Sequence, residues 1–193
     1  MTTHIAVRTA TTRTTTLEQR LLTASLLVAP VLFLAADTTY AAQGWDDAAA
    51  GVLHVLASIG YGFVGVRIAT WLPPGSALRV AVVVVGLVGM AGSVAYGFDT
   101  IHVSLGDTAL VDRSGAATLI KPLGLFFPLG FALMAVALIR LGSRWQGLLV
   151  LAGALVWPVA HIANIAPLAV TVNVALVLGF GSLLWQPPAL KES

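Results

Sequence analysis

The chain has 193 residues, of which 58% are hydrophobic and 9% are charged, and it contains no cysteine. A soluble domain carries charges on roughly a quarter of its residues, so this composition excludes an ordinary soluble protein and indicates an integral membrane protein. The lack of cysteine excludes disulfides, thiolate metal sites and thiol nucleophiles. The net charge of +2 comes from basic residues scattered at helix ends, which form no patch for nucleic acid.

Six apolar segments are long enough to cross a membrane as helices, because about 20 apolar residues span the hydrocarbon core. In chain order the predicted spans cover residues 21–40, 48–68, 77–98, 119–141, 145–165 and 167–185. Proline and glycine interrupt the chain between spans, as at Pro73, Pro74 and Gly75. The sequence therefore predicts one all-α domain over residues 21–186, a bundle of six transmembrane helices, with a flexible tail over residues 1–20 and a second tail over 187–193.

The basic residues predict the orientation, since Lys and Arg are retained on the cytoplasmic side of a membrane. With the N-terminus in the cytoplasm, only Arg113 and Lys121 lie outside. The other basic residues are then cytoplasmic: Arg8, Arg13, Arg20, Arg67, Arg79, Arg140, Arg144 and Lys191. Both termini are therefore predicted to be cytoplasmic, and the aspartates fall near the opposite face.

Two histidines and two asparagines lie within the predicted spans, where a polar group is costly unless it has a partner or a function. His54 is the deepest titratable residue. His161 lies near the outer end of the fifth span, and helical spacing places Trp157, His161 and Asn164 on one face. Asn173 reaches a similar depth from the sixth span. These residues are candidates for a site near the outer face.

A second group of candidates follows the third span, in the motif Tyr96-Gly97-Phe98-Asp99-Thr100-Ile101-His102. If the helix continues past Phe98, Tyr96, Asp99 and His102 stack at helical spacing, where the carboxylate can hydrogen-bond and orient the imidazole. Asp37, at the outer end of the first span, can join this group from another helix.

The remaining aspartates have simpler explanations. Asp46 and Asp47 precede the second span, where carboxylates stabilise a helix N-terminus. Asp107 and Asp112 are expected to lie in a solvated loop.

The candidate residues support the hypothesis of an intramembrane enzyme that cyclises an isoprenoid by acid catalysis. Such a reaction needs a proton donor at an alkene or epoxide, a cavity that excludes water, and aromatic faces that stabilise a carbocation. Asp99 or Asp37 would be the acid, while His102 or His161 would orient it or accept the final proton, with His54 as a further catalytic candidate. The residues expected to contact substrate are Tyr61, Tyr96, Phe98, Trp157, Asn164 and Asn173.

The chain resembles small multi-pass actinobacterial membrane proteins in its size, its number of spans and the placement of its Asp, His and aromatic residues. The residues concerned are Pro30-Val31-Leu32-Phe33, which leads to Asp37, and the later motif from Tyr96 to His102. Among such proteins it is similar to the bacterial membrane-bound terpene cyclases of indole-sesquiterpenoid and related meroterpenoid pathways. The resemblance implies a prenylated, lipophilic substrate that enters from the bilayer, no metal or other cofactor, membrane lipid but no nucleic acid as a partner, and the bacterial cytoplasmic membrane as its location.

Two other classes of function remain open. His54, His102 and His161 could hold zinc together with Asp99, as in intramembrane hydrolases of the ceramidase and adiponectin-receptor type, although no H-x-x-x-H pair occurs here. Two of these histidines could instead hold a haem, although a two-haem membrane cytochrome needs four. The chain could also be a small-solute transporter or an accessory subunit without catalysis. Against transport, no aspartate is predicted to reach the membrane midplane, where a proton-coupled carrier normally needs one.

Overall fold

The computed structural model describes residues 15–188, and every regular element in this range is a helix. The long helices are α1 (Leu17–Gln43), α2 (Ala48–Trp71), α3 (Ala77–Ser104), α4 (Ile120–Arg140), α5 (Arg144–Ile162) and α6 (Ala166–Gly181). Short 3₁₀ helices occupy Leu110–Asp112 and Gly115–Leu119 between α3 and α4, and Ser182–Leu184 extends α6. Six helices are long and apolar enough to cross a membrane, which confirms the predicted fold class.

The first helix is longer than predicted at both ends. The Thr16 hydroxyl accepts a hydrogen bond from the Gln19 backbone, and the Gln19 side chain accepts one from the Thr16 backbone, so a capping box starts the helix at Leu17. At the other end α1 continues to Gln43, and Gly44, with a φ of 102°, follows it. The rest of both predicted tails, residues 1–14 and 189–193, lies outside the described residues.

The helices form a closed antiparallel ring. Each helix packs against the next one along the chain, and α1 packs against α6. Helix α2 also touches α4 across the ring, which leaves α3 as the least buried of the spans. The connections α1–α2, α3–α4 and α5–α6 all lie at one end of the bundle, which we call the Asp37 end because Asp37 lies near it on α1.

Aromatic rings fill the interior of this helical ring. Five helices contribute to this aromatic core, which consists of Phe33, Tyr61, Phe127, Phe131, Trp157 and Phe180. Each of these side chains is at most 7% exposed, and neighbouring ring centroids lie 4.6 to 6.0 Å apart. Edge-to-face and offset pairs of this kind contribute about 0.5–1.5 kcal/mol each beyond their buried area. The core therefore holds these five helices together below the polar groups of the Asp37 end.

Helices α3 and α4 approach closely because glycine faces the contact. A Cβ atom at Gly89 would lie 2.5 Å from the carbonyl oxygen of Phe126 and 2.6 Å from the backbone nitrogen of Phe127. Those atoms belong to the backbone of α4, so a side chain at Gly89 would push the two helices apart. Gly86, one turn earlier on α3, has no atom within 4 Å of the corresponding position.

We expect Gly89→Ala to lower the free energy of unfolding by about 1–3 kcal/mol, since the new methyl group overpacks a backbone contact. Gly86→Ala adds the same methyl group to open space on the same helix and is expected to be neutral or stabilising. Thermal unfolding of both variants in the same detergent measures the difference. Equal stability of the two variants would contradict the close α3–α4 contact.

Candidate functional site

A cavity of about 550 Å³ lies at the Asp37 end of the bundle. Tyr40, Trp45, Tyr96 and Trp157 give it aromatic walls, and His54 and His161 also line it. Its lining includes the exposed residues Asp46, Lys121 and Asn164, so it opens at the end of the bundle. A volume in the range of roughly 300–1,000 Å³ suits a small organic molecule.

The Asp37 carboxyl group is fully buried beside this cavity and is bonded to two other helices. Its Oδ2 atom lies 2.6 Å from Nδ2 of Asn173, on α6, and 3.1 Å from Nε2 of His161, on α5. Asn173 donates its second amide hydrogen to the carbonyl oxygen of Ala169, 3.2 Å away. The sequence placed Asp37, His161 and Asn173 at a similar outer depth, and the structure joins these three side chains in one hydrogen-bonded cluster, which we call the Asp37 cluster.

The hydrogen-bond partners of His161 indicate a proton shared within this cluster. The Nδ1 atom of His161 lies 3.0 Å from the backbone carbonyl oxygen of Trp157, which can only accept, so Nδ1 carries a hydrogen. Two bare lone pairs would repel each other across the 3.1 Å contact between Nε2 and Asp37, so a second hydrogen lies between those two atoms. The pair is therefore either a carboxylic acid with a neutral imidazole or a carboxylate with an imidazolium. Both forms contain one transferable proton.

Asp37 also lies deeper than the sequence predicted. Because α1 runs on to Gln43, the carboxyl group is roughly two helical turns inside the helix end and is fully buried. The predicted span ended at residue 40, so the prediction placed Asp37 nearer to the end of its helix than it is.

A second polar cluster joins α2 to α3. The Nε2 atom of His54 lies 3.0 Å from the Ser93 hydroxyl oxygen, which in turn lies 2.8 Å from the Ser58 hydroxyl oxygen. Ser58 donates to the backbone carbonyl of His54 at 2.7 Å. All three side chains are buried, and His54 also lines the cavity. We call this group the His54 cluster.

The predicted hydrogen bond between Asp99 and His102 is not present among the described residues. Both carboxylate oxygens of Asp99 instead accept the backbone N–H of Leu110, at 3.0 Å each. His102 lies on the exposed side of α3 and does not line the cavity. The chain turns back after Ser104, so the loop backbone lies beside the Asp99 carboxylate. The loop, and not the imidazole of His102, donates the hydrogen bonds to it. Asp99 thus anchors the loop whose Ala109 lines the cavity.

The residues predicted to contact substrate divide between the cavity and other places. Tyr96, Trp157 and Asn164 line the cavity, although Asn164 follows the end of α5 with a φ of 53° rather than continuing its helical face. Tyr61 lies in the aromatic core below the cavity and does not line it, and Asn173 reaches the site through Asp37.

Phe98 was expected to contact substrate, but its side chain is 53% exposed on the outside of α3 and does not line the cavity. Asp99, its neighbour in the chain, faces inward on the same helix and is 6% exposed. Adjacent residues of a helix point about 100° apart, and α3 is turned so that Asp99 faces the interior and Phe98 faces outward.

The three histidines suggested for a metal site are not gathered in one place. His54 and His161 both line the cavity, whereas His102 is exposed outside it. Within residues 15–188, no group of three or more His, Cys, Asp or Glu side chains is arranged to hold a metal ion. The zinc arrangement with His54, His102 and His161 is therefore not formed by this part of the chain.

No protein family, curated protein or solved structure matches this chain. Its two buried clusters and the cavity between them are therefore the basis for assigning it a function. The clusters come from five helices: α1, α5 and α6 form the Asp37 cluster, and α2 and α3 form the His54 cluster.

Four residues of the site were not singled out from the sequence: Tyr40, Trp45, Ser58 and Ser93. Helical spacing offered a signal for two of them. Tyr40 follows Asp37 by three residues, and Ser58 follows His54 by four, so each shares a helix face with a residue that was identified. Trp45 lies in a turn, where no periodicity applies, and stacks on Tyr40 with ring centroids 5.2 Å apart.

The position of the hydrogens on His161 can be measured. We expect the ¹⁵N chemical shift of its Nδ1 atom to be that of a protonated ring nitrogen, because only a protonated Nδ1 can bond to the Trp157 carbonyl. The exposed His102 serves as the control, since its two nitrogens are expected to exchange tautomers freely. An unprotonated Nδ1 in folded protein would contradict the proton assignment in the Asp37 cluster.

Proposed function

We propose that this protein is an integral membrane enzyme that protonates a lipophilic prenylated compound and thereby starts its cyclisation without a metal. The observation that carries this proposal is the 3.1 Å contact between the buried Asp37 carboxyl group and Nε2 of His161, beside an aromatic-lined cavity. An acid-initiated reaction needs a donor that stays protonated in an apolar environment. The Asp37 cluster supplies one.

His161 is the member of the cluster that connects the buried carboxyl group to the cavity, because it bonds Asp37 and also lines the cavity wall. Both of its ring nitrogens are bonded in the folded protein, one to Asp37 and one to the Trp157 carbonyl. In the proposed mechanism the imidazolium therefore turns from Asp37 toward the cavity to deliver its proton to the substrate, and Asp37 keeps the negative charge. Asn173 holds the carboxyl group in place from α6 through the 2.6 Å hydrogen bond. Asp37 and Asn173 thus position and supply the proton, and His161 transfers it.

The aromatic residues support a cationic intermediate. Trp157 stacks on His161 with centroids 4.0 Å apart and planes inclined by 15°, so its indole ring lies beside the point of proton transfer. Tyr40, Trp45 and Tyr96 form other parts of the cavity wall. Aromatic faces attract a carbocation through their quadrupole, and the attraction is stronger where water is excluded.

A terminal epoxide is the substrate group best matched to this donor. An epoxide oxygen accepts a proton far more readily than an alkene carbon does, and imidazolium and carboxylic acids are moderate acids. We therefore choose a farnesylated indole, a farnesylated phenol and the terminal epoxide of each as probes. Conversion of an epoxide to a cyclic isomer supports the enzyme, while transport or tight binding without a product supports a carrier or an accessory subunit.

Asp37→Asn is expected to reduce conversion of the epoxide probes by roughly 100- to 10,000-fold, the usual contribution of a positioned general acid. His161→Phe should have a similar effect, since it removes the transferring group and keeps an aromatic ring. Product formation is measured by mass spectrometry with protein in detergent or reconstituted vesicles. The matched control is Asp112→Asn, because that carboxylate is exposed in the loop and is expected to leave activity unchanged.

Asp99→Asn distinguishes the two candidate acids. The variant keeps one oxygen that can accept from Leu110, so the loop stays anchored and conversion should remain within a fewfold of wild type. A loss as large as that of Asp37→Asn would assign the acid to Asp99 instead. Full activity in Asp37→Asn, Asp99→Asn and His161→Phe together would eliminate the proposed mechanism.

We also propose that the protein lies in the bacterial cytoplasmic membrane with the Asp37 end outside. Among the described residues, Arg20, Arg67, Arg79, Arg140 and Arg144 lie toward the other end of the bundle. Lys121 and Arg113 lie at the Asp37 end, where Arg113 is 3.9 Å from Asp107. The excess of basic residues away from the Asp37 end supports a cytoplasmic position for that opposite end.

The absence of cysteine from the sequence permits a direct test of this orientation. Ser114→Cys, in the α3–α4 loop, should react with a membrane-impermeant maleimide in intact cells. Pro74→Cys, in the α2–α3 connection at the opposite end, should react only after the cells are opened. The reverse labelling pattern would show that the protein is inserted the other way round.

A further inference from the structure

The directions of the hydrogen bonds in the His54 cluster leave one imidazole nitrogen without a hydrogen. Ser58 uses its only hydroxyl hydrogen to bond the backbone carbonyl of His54. The 2.8 Å contact between the two serines therefore requires Ser93 to donate to Ser58. Ser93 then has no hydrogen left for His54, so the 3.0 Å contact requires Nε2 of His54 to donate to Ser93.

It follows that Nδ1 of neutral His54 carries a lone pair. This atom is buried and has no hydrogen-bond partner among residues 15–188. An unsatisfied nitrogen in an apolar interior is unfavourable, and most buried polar atoms are paired. His54 lines the cavity, so the ring that carries this buried lone pair borders any molecule bound there.

The two clusters therefore have opposite proton states, and the Phe33 ring lies near the histidine of each. The Phe33 ring lies 4.7 Å from the His54 ring and 6.1 Å from the His161 ring, measured between centroids. The Asp37 cluster holds a proton, and the His54 cluster presents a lone pair. A single cavity thus meets a donor and an acceptor that different helices supply.

We infer that His54 is the base that ends the reaction by taking a proton from the cyclised carbocation. The inference rests on the proposed function and adds the residue that accepts the final proton. Ser93 and Ser58 are positioning residues, because they act on the substrate only by fixing the tautomer of His54.

The steps balance without any other reactant. The proton of the Asp37 cluster moves to the epoxide oxygen, the carbon–oxygen bond breaks, and an alkene electron pair forms the new carbon–carbon bond. The resulting carbocation then loses a proton to Nδ1 of His54, and the electrons of that carbon–hydrogen bond form the new double bond. The product contains one hydroxyl group and no added water. Solvent at the open end of the cavity then removes the proton from His54 and returns one to the Asp37 cluster.

The first test replaces the base and reads the product. His54→Gln keeps an N–H donor for Ser93 but removes the imidazole lone pair. With the terminal epoxide of a farnesylated indole, we expect conversion to continue while the fraction of wild-type alkene falls at least tenfold, in favour of a diol formed by water capture or of other alkene isomers. An unchanged product at an unchanged rate would overturn the inference.

Ser93→Ala tests the positioning role. Loss of the hydroxyl acceptor allows His54 to adopt the other tautomer, so the alkene fraction should fall severalfold, and Ser93→Thr should restore it. Ser104→Ala is the matched control, since that exposed hydroxyl on α3 bonds only to the backbone of Ile101. A wild-type product spectrum in Ser93→Ala would remove the positioning role.

A further measurement needs neither a substrate nor a variant, so it tests the inference even if the variants fail to fold. The ¹⁵N shifts of His54 in wild-type protein should show a protonated Nε2 and an unprotonated Nδ1, and the opposite tautomer would overturn the inference. The proposed function fails separately, if wild-type protein converts none of the probes to an isomeric product. A wild-type product that contains an added water would leave the acid in place and eliminate His54 as the terminating base.

Discussion

The buried carboxyl group of Asp37 is the constraint to which the rest of the site adapts. A carboxyl group without partners in an apolar membrane interior costs several kcal/mol, so it must be bonded from other helices. Its partners are on α5 and α6, the last two helices of the chain, and these contacts lie where α1 closes the ring against α6. The same hydrogen bonds that satisfy Asp37 also fix His161 at the cavity wall. Closure of the bundle and placement of the proton donor are therefore parts of one arrangement.

The apolar spans were predictable because hydropathy over 20 residues is a property of each segment alone. The helix ends were less so, since they depend on local groups such as the capping box at Thr16 and on Gly44. Which residues meet between helices was beyond the sequence. Asp37, His161 and Asn173 were each recognisable as polar residues in apolar segments, but their meeting depends on α1 packing beside α6, which no local pattern encodes.

The loop after α3 makes a contact with Asp99 that the sequence did not predict. A continued helix made Asp99 and His102 a natural pair, and α3 does continue to Ser104. The pairing fails because the irregular segment beyond the helix supplies a backbone donor, Leu110, to the carboxylate. Loop backbones have no periodicity from which such a contact could be read. The exposed position of Phe98 has a simpler cause, since the helical rotation that buries Asp99 turns its neighbour outward.

Ring closure also has a topological consequence. Residues 15 and 188 flank neighbouring helices at the same end of the bundle, because α1 begins there and α6 with its 3₁₀ extension ends there. A short linker between them, with new termini opened in the connection around Gly75, would give a circular permutant that keeps every helix–helix interface. In such a chain α1 and α6 would be consecutive in sequence, and Asp37 would lie much nearer in sequence to Asn173 and His161. The order of the helices along the chain and the order around the ring are thus separable, and the site depends only on the second.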